Sequence, residues 1–518
     1  MQHGRKRVCR HFRPIKIPPR KLPRRSIASP PRVCFPRTNP SAIPDTTTTP
    51  FCRAAQPPFS RTRSGEVSRA PTAAPWTQSS EAAAASAMSE SEEETSSAAD
   101  WPVTEEWLQA VLRHHHRDLD ERAAIAVIDF TVKPGCDAGE SVLSDILAVA
   151  VKYCVKDDAD AHTLSFIIKL LPQDPFSRFF VTEAQFDLRE IKFYTQNSTG
   201  LRISADGINV LLQVVPDLEA FKSQNLPPET EIRLPIPKCY YAHYSAGSGD
   251  PEPSPPESVL VLENIKPAGY SGADFSRGLT LRQTTAAVDA IAHIHGLSLA
   301  IKIKEGRPLA ERYPFLFQTT RASDSYQQLV ERGLPQLSQF LERRPGLESV
   351  LASLNELRPH TKDIIENLLS PEEPMALITH TDFWCNNLMF REDDASCTCA
   401  ILDWQMVTYS RATNDLALLL ISSVPAELRR IHTGKLLDGY WTNLTDTCRR
   451  LNLDVEEELG YDRARLAEDY KRSQLLALLL CIGSVDLALG NAQMEERLLA
   501  LLQDLHDDGL LNANVAKK

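Results

Sequence analysis

No Cys-x-x-Cys pair occurs in this chain. Its 11 cysteines are scattered over 518 residues, and Cys397-Thr398-Cys399 leaves one residue between two thiols, too few for a common zinc knuckle. Scattered cysteines without a secretory leader imply reduced thiols and a cytoplasmic protein. Long apolar runs are missing too. The longest, residues 475–485, stops at Asp486 and is expected to be a buried helix rather than a membrane span. Excess positive charge is absent, since the formal net charge is -11, and this argues against a nucleic-acid-binding body. There is no internal repeat and no GxGxxG.

Acidic residues are missing from one region only. Before residue 66, Asp45 is the only acid, and residues 1 to about 87 are rich in Arg, Pro, Ser and Thr. Such a stretch buries too little apolar surface to offset its ordering entropy, so disorder is expected. Its Arg content also fits a mitochondrial transit peptide or a basic nucleic-acid arm, although Pro14, Pro18, Pro19, Pro23, Pro30 and Pro31 would break the amphipathic helix of a transit peptide. Met88 opens Met-Ser-Glu-Ser-Glu-Glu-Glu, which reads as an ordinary protein start.

What is present is organised around His380-Thr381-Asp382-Phe383-Trp384-Cys385-Asn386-Asn387. An apolar lead-in precedes it, and the spacing predicts strand, turn, strand. The polar frame is H-x-D-x-x-x-x-N, followed by an apolar strand, residues 400–402, that ends in Asp403. Phosphoryl transfer needs these groups: an Asp to accept a hydroxyl proton, and an Asn and a second Asp to hold Mg²⁺. On this reading Asp382 is the base, Asn387 and Asp403 are metal ligands, and His380 braces the loop.

The upstream chain is expected to supply the rest. Thr104 is a plausible cap for a helix whose Trp107, Leu108, Val111 and Leu112 share a face. Residues 127–132 and 146–155 read as strands around a small-residue turn. That turn is either a plain hairpin or a phosphate-covering loop, with Gly139 and Ser141 offering backbone N–H groups. Lys169 sits inside the apolar strand 164–171. It is either a solvent-facing edge lysine or the phosphate-positioning lysine held by a helix Glu. Helical spacing over 183–194 puts Glu183 and Glu190 on one face, with Glu190 preferred as the partner. Residues 208–215 and 240–244 read as strands. Residues 259–265 form an apolar strand running into Lys266-Pro267-Ala268-Gly269-Tyr270, either a buried strand before a turn or a hinge whose backbone at Glu263 and Ile265 would bind adenine. From Leu279 the chain turns helical, with His295 expected to be a satisfied core histidine. Further helices are expected over 338–369, 414–422, 427–452, 463–488 and 492–506.

These residues resemble the ecdysteroid kinase-like family, related to choline kinases and aminoglycoside phosphotransferases. The resemblance runs from about Trp107 to His506. It is carried by Lys169, Phe186-x-x-x-Glu190-x-x-Phe193-Tyr194, Pro237-Lys238-Cys239-Tyr240, Leu262-Glu263-Asn264-Ile265 with the turn after it, and His380-x-Asp382-x-Trp384-x-x-Asn387. Asp403-Trp404-Gln405 carries Trp where the family has Phe, and Thr381 stands where Gly is commoner. The resemblance implies ATP-dependent phosphorylation of a hydroxyl on a small, steroid-like or xenobiotic molecule.

The expected fold is α+β: a two-lobed protein-kinase-like fold behind a disordered N-terminal tail, 1–100. The N-lobe, 101–264, would be a mixed β-sheet and the C-lobe, 265–518, mainly helical. ATP and Mg²⁺ are the expected cofactors, with a hydroxylated small molecule as partner, no nucleic acid, no membrane and a monomeric state. The rival readings are a non-catalytic kinase-like binding module and a choline- or aminoglycoside-type kinase.

Overall fold

The structure, a computed structural model, describes residues 103–116, 125–136, 141, 143–155, 160–195, 213–227, 232–245, 257–316 and 319–516. All of them belong to the second of two units, 92–518. The expected disorder of the tail lies outside the described residues.

Helix α1 (Glu105–His115) begins as its sequence requires: the Thr104 hydroxyl accepts from the Trp107 N–H, and Leu108, Val111 and Leu112 are buried. It packs on a five-stranded antiparallel sheet of β1 (Ile125–Pro134), β2 (Asp145–Val155), β3 (His162–Leu170), β4 (Cys239–Ser245) and β5 (Glu257–Glu263), in the order β1-β2-β3-β5-β4. Alternation along β3 turns Phe166, Ile168 and Leu170 into the core under α1 and leaves Lys169 on the opposite face. Since β3 is the central strand, the edge-lysine reading falls away.

The helical stretch expected over 183–194 is two helices, α2 (Pro175–Ala184) and α3 (Phe186–Tyr194). Gln185 separates them at φ 56°, its N–H closing onto the Val181 and Thr182 carbonyls. The break leaves Glu183 exposed at the end of α2 and buries Glu190 in α3. No glycine marks this left-handed turn, so periodicity ran through it. The strand expected over 208–215 is not formed at its end, because Val214 and Val215 open α4 (Val214–Asn225); residues 208–212 lie outside the described residues.

Beyond β5 come a short turn, Lys266–Ala268, and β6 (Ser271–Gly272). Then α5 (Leu281–Glu305) starts from a capping box in which Thr280 and Gln283 exchange side-chain-to-backbone bonds. Among the described residues α5 alone has the length and hydropathy to cross a membrane; its apolar window is 83% buried, as suits a core helix. A short α6 (Leu309–Arg312) follows, and the region expected as helix over 338–369 is divided among the end of α7 (Thr319–Glu342), α8 (Glu348–Leu357) and α9 (Thr361–Leu369). Strand β7 (Ala376–Thr379) leads into the His380 segment, β8 (Leu388–Glu392) leaves it, and β9 (Cys397–Ile401) leads to Asp403. Strand β10 (Thr408–Arg411) pairs antiparallel with β7. Helices α10 (Thr413–Ser423), α11 (Ala426–Arg450), α12 (Val455–Leu459), α13 (Arg463–Gly483) and α14 (Ala492–Asp507) complete the lobe. Helix α13 stops five residues short of the expected end, where Ser484 caps it and a short turn, Val485–Leu487, takes over.

Candidate active site

Lys169 reaches across the cleft between two carboxylates. Its Nζ lies 2.6 Å from Glu190 Oε2 and 2.8 Å from Asp403 Oδ1. Burial alone would lower the lysine's pKa, but the two carboxylates outweigh it and hold the pKa above the ordinary lysine value. Burial pushes the Glu190 carboxyl up, Lys169 pulls it down and the nearby Asp403 adds to the rise. Glu190 also accepts from the Trp404 N–H at 3.2 Å, so one glutamate ties the lysine to the segment carrying Asp403.

The His380–Asn387 segment is held at both ends. His380 Nε2 donates to the Leu402 carbonyl at 2.7 Å, and its Nδ1 accepts from the Asp382 N–H at 3.3 Å. The ring thus spans from the loop to the residue before Asp403, the bracing geometry expected of it. Asn387 Nδ2 donates to both the carbonyl and Oδ2 of Asp382, each at 2.8 Å. That commits the amide nitrogen and leaves Oδ1 for a cation. Asp382 is buried, which raises its pKa; His380 opposes the rise and Asp403 adds to it. Thr381 adopts φ 66° and Asp403 φ 59°, left-handed conformations that cost a β-branched residue strain. At position 381 this explains why Gly is the easier residue.

Of three further positioning residues, Asp415 and Arg189 gave little sequence signal, whereas Trp404 belongs to the Asp403-Trp404-Gln405 motif. Asp415, fully buried at the start of α10, accepts from the backbone N–H of His380 and of Thr381, each at 2.8 Å. Its other neighbour is His295, which lies 3.3 Å from it and 2.7 Å from the Tyr440 hydroxyl, a satisfied core histidine as expected. Arg189, buried on α3, donates to the Gln405 carbonyl at 2.8 Å and so pins the turn after Asp403. Trp404 is fully buried and stacks on Phe193 with centroids 4.3 Å apart. An acid next to an apolar helix was the one available cue to Asp415; nothing in its sequence surroundings marks Arg189.

The nucleotide-side expectations divide. Gly139 lies outside the described residues. The Ser141 hydroxyl donates to the Ser144 carbonyl at 2.7 Å, closing the turn on itself. At the hinge, the Glu263 N–H is taken by the Lys238 carbonyl at 2.7 Å, so that amide is not free for a base edge. Ile265 instead joins Met389 and Ala400 in a small buried cluster, with Tyr270 and Leu402 packed on it, an apolar platform of the kind a purine ring stacks on.

Beside Asp382 opens a cavity of about 290 Å³. Its walls are mainly apolar and come from both lobes and the C-terminal helices: Leu143, Phe186, Phe275, Leu418, Leu480 and Leu501 among them, with Asp382 and Trp384 also in the lining. The Trp384 indole N–H lies close enough to lower the Asp382 pKa yet makes no well-aligned hydrogen bond.

The donor set suits Mg²⁺. That ion takes oxygen ligands, commonly one or two protein carboxylates with substrate phosphates completing the shell. Asn387 Oδ1 and the part-exposed Asp403 carboxylate supply such oxygens at the mouth of the cleft.

Several solved structures are similar to the chain over most of its length. A choline kinase from Cryptosporidium parvum Iowa II is 12% identical, with a TM-score of 0.40 over 79% of this chain and 98% of that one. A choline kinase from Streptococcus pneumoniae is 13% identical, with a TM-score of 0.32 over 77% and 99%. A microcompartment-associated aminopropanol kinase is 12% identical, with a TM-score of 0.32 over 79% and 99%. No curated protein matches the chain. Residues 138–453, which carry Lys169, Glu190, the His380–Asn387 segment and Asp403, match the ecdysteroid kinase-like family, and the chain belongs to that family.

Proposed function

We propose that this protein is an ATP-dependent kinase that phosphorylates a hydroxyl group of a small, largely apolar molecule of steroid-like or xenobiotic type. The observation that carries the reading is the placement of the Asp382 carboxyl. It is held by Asn387 in the lining of an apolar cavity, on the same loop that His380 fastens to the Asp403 strand.

Bound Mg²⁺ and ATP supply the electrophilic phosphoryl group and neutralise the charge that develops on it. Lys169, steadied by Glu190, binds phosphate oxygens. Asn387 Oδ1 and Asp403 hold the cation. The apolar platform at Ile265, Met389 and Ala400 receives the base. The acceptor alcohol enters the cavity with its hydroxyl at Asp382, whose carboxylate orients it and takes its proton as the new O–P bond forms and the bond to the ADP oxygen breaks. Apolar walls exclude water, which disfavours hydrolysis of ATP in place of transfer.

The test is to incubate the purified protein with ATP, Mg²⁺ and a panel of hydroxylated steroids and plant metabolites, following ADP release and product mass. A mass gain of one phosphoryl group on an alcohol supports the reading. ATP binding with no transfer to any alcohol would leave the binding-module reading in its place.

A further inference from the structure

One wall of the acceptor cavity carries a cation with no ion-pair partner among the described residues. Arg497, on α14, lines the cavity, and its Nη2 donates to the Phe275 carbonyl at 3.0 Å. The guanidinium lies 5.0 Å from the centroid of the Phe275 ring, whose edge in turn meets Trp384. Its Nη1 is buried without a hydrogen-bond partner, ending close to the bare Cα of Gly278. Of the two acids just before it on the helix, Glu495 is paired with Arg344 at 2.7 Å and Glu496 is exposed. The titratable neighbours of Arg497 are the thiols of Cys385 and Cys481, which burial keeps protonated and neutral, and burial lowers the pKa of Arg497 itself. Of all the residues lining the cavity, Arg497 and Trp384 are the two with a buried N–H donor left unsatisfied.

A half-buried charge left without a partner gives up part of its hydration, and a ligand that brings the counter-charge offsets that cost. Nη2 already serves the Phe275 carbonyl and Nη1 is packed against Gly278, so what the guanidinium offers a ligand in the cavity is attraction by its charge. The same charge repels quaternary ammonium and amino groups, so a choline-like or aminoglycoside-like acceptor is disfavoured here. We propose that the acceptor is an amphiphilic hydroxy acid: an apolar body with its hydroxyl at Asp382 and an anionic group, carboxylate or sulfate, drawn to Arg497. This rests on the reading of the cavity as the acceptor site.

The probe is ω-hydroxydodecanoate against its methyl ester, both measured by calorimetry on the full chain, with wild type, Arg497→Met and Arg497→Lys. Wild type is expected to bind the acid at least about tenfold more tightly than the ester, the scale of a charge-assisted pair in a desolvated site. Arg497→Met should lose that preference while binding the ester as wild type does, which shows that the cavity is still formed. Arg497→Lys should retain part of the preference. Equal affinity of wild type for acid and ester, an acid preference that survives Arg497→Met, or no binding of either probe would each overturn the proposal. Binding of ATP with Mg²⁺, measured separately without any acceptor, reports on the kinase reading and does not depend on these outcomes.

Discussion

Lys169 Nζ and Asp403 Oδ1 meet at 2.8 Å, an ion pair between residues 234 positions apart that joins the central strand of the sheet to the turn after β9. Glu190 completes the set from α3. Lysine and aspartate are therefore pre-positioned for phosphate and metal, and each neutralises the other until ligand arrives.

Lys169→Met removes the countercharge from two carboxyls. Breaking a buried pair in this way costs about 3–5 kcal/mol, so the melting temperature should fall and ATP binding should be lost. The loss should ease at acid pH. Glu190 already has its folded pKa raised above the ordinary value, so its protonated form contributes stability that is lost as pH rises through the folded value, and removing the lysine moves that window upward. In wild type, Lys169 has a raised folded pKa, and the stability it contributes persists until pH climbs past the ordinary lysine range. Thermal melts of both proteins across acid to neutral pH check this; a variant deficit independent of pH would contradict it.

Asp382→Asn should cut turnover by roughly 10²–10⁴-fold, the scale of a lost general base, with ATP affinity nearly unchanged. It should also raise the melting temperature at neutral pH when Mg²⁺ and nucleotide are absent. Burial lifts the folded pKa of Asp382 above 3.8, so the stability tied to its protonated form is present below that value and lost as pH rises through the folded one. The amide escapes that penalty, and its advantage should shrink as pH is lowered. In wild type the acid limb of kcat/KM against pH should lie above the ordinary aspartate range. A variant with wild-type turnover would remove Asp382 from the chemistry.

Much of this site was legible because its polar residues interrupt apolar strands. Lys169 breaks the run 164–171, Asp403 ends the run 400–402, and the fixed spacing from His380 to Asn387 is a loop held by its own side chains. Glu190 over Glu183 was a preference that needed the break at Gln185 to become a fact. Asp415 and Arg189 were hidden for a different reason. Their partners are backbone atoms far away in sequence, the N–H groups of His380 and Thr381 and the carbonyl of Gln405, which leave no side-chain pattern. The bond from the Glu263 amide to the Lys238 carbonyl left no trace in the sequence, because strand register, which decides whose carbonyl faces an amide, cannot be read from a single strand.

Asp415→Asn tests the hidden brace. The amide keeps one acceptor oxygen but turns an NH₂ group toward a backbone N–H, leaving a buried donor unpaired. Such a loss costs about 1–3 kcal/mol or more where a charged group is involved. The melting temperature should drop, and turnover should fall by about tenfold or more as the loop loosens, with ATP affinity less affected because Lys169 and Asp403 are untouched. Steady-state kinetics with calorimetry on ATP separates the two; unchanged turnover would show that the loop holds its shape without this carboxyl.

The last prediction concerns the kind of acceptor. A protein kinase carries a long segment after its metal-binding Asp that docks a polypeptide. Here that space is taken: Trp404–Met406 form a single turn, β10 is buried along its whole length against β7, and α10 starts at Thr413. In place of an open platform stands the cavity walled by α7, α10, α13 and α14, of a size for a molecule of moderate bulk rather than an extended peptide. Ala488, half-buried on that wall, faces a space that an indole would fill. Ala488→Trp should therefore raise KM for a small alcohol acceptor by about tenfold or more, while ATP affinity stays as in wild type, because none of the residues assigned to the nucleotide lines the cavity. Labelled ATP offered with generic protein substrates should give no transfer in either protein. Robust phosphorylation of protein side chains, insensitive to Ala488→Trp, would show that the acceptor docks outside the cavity.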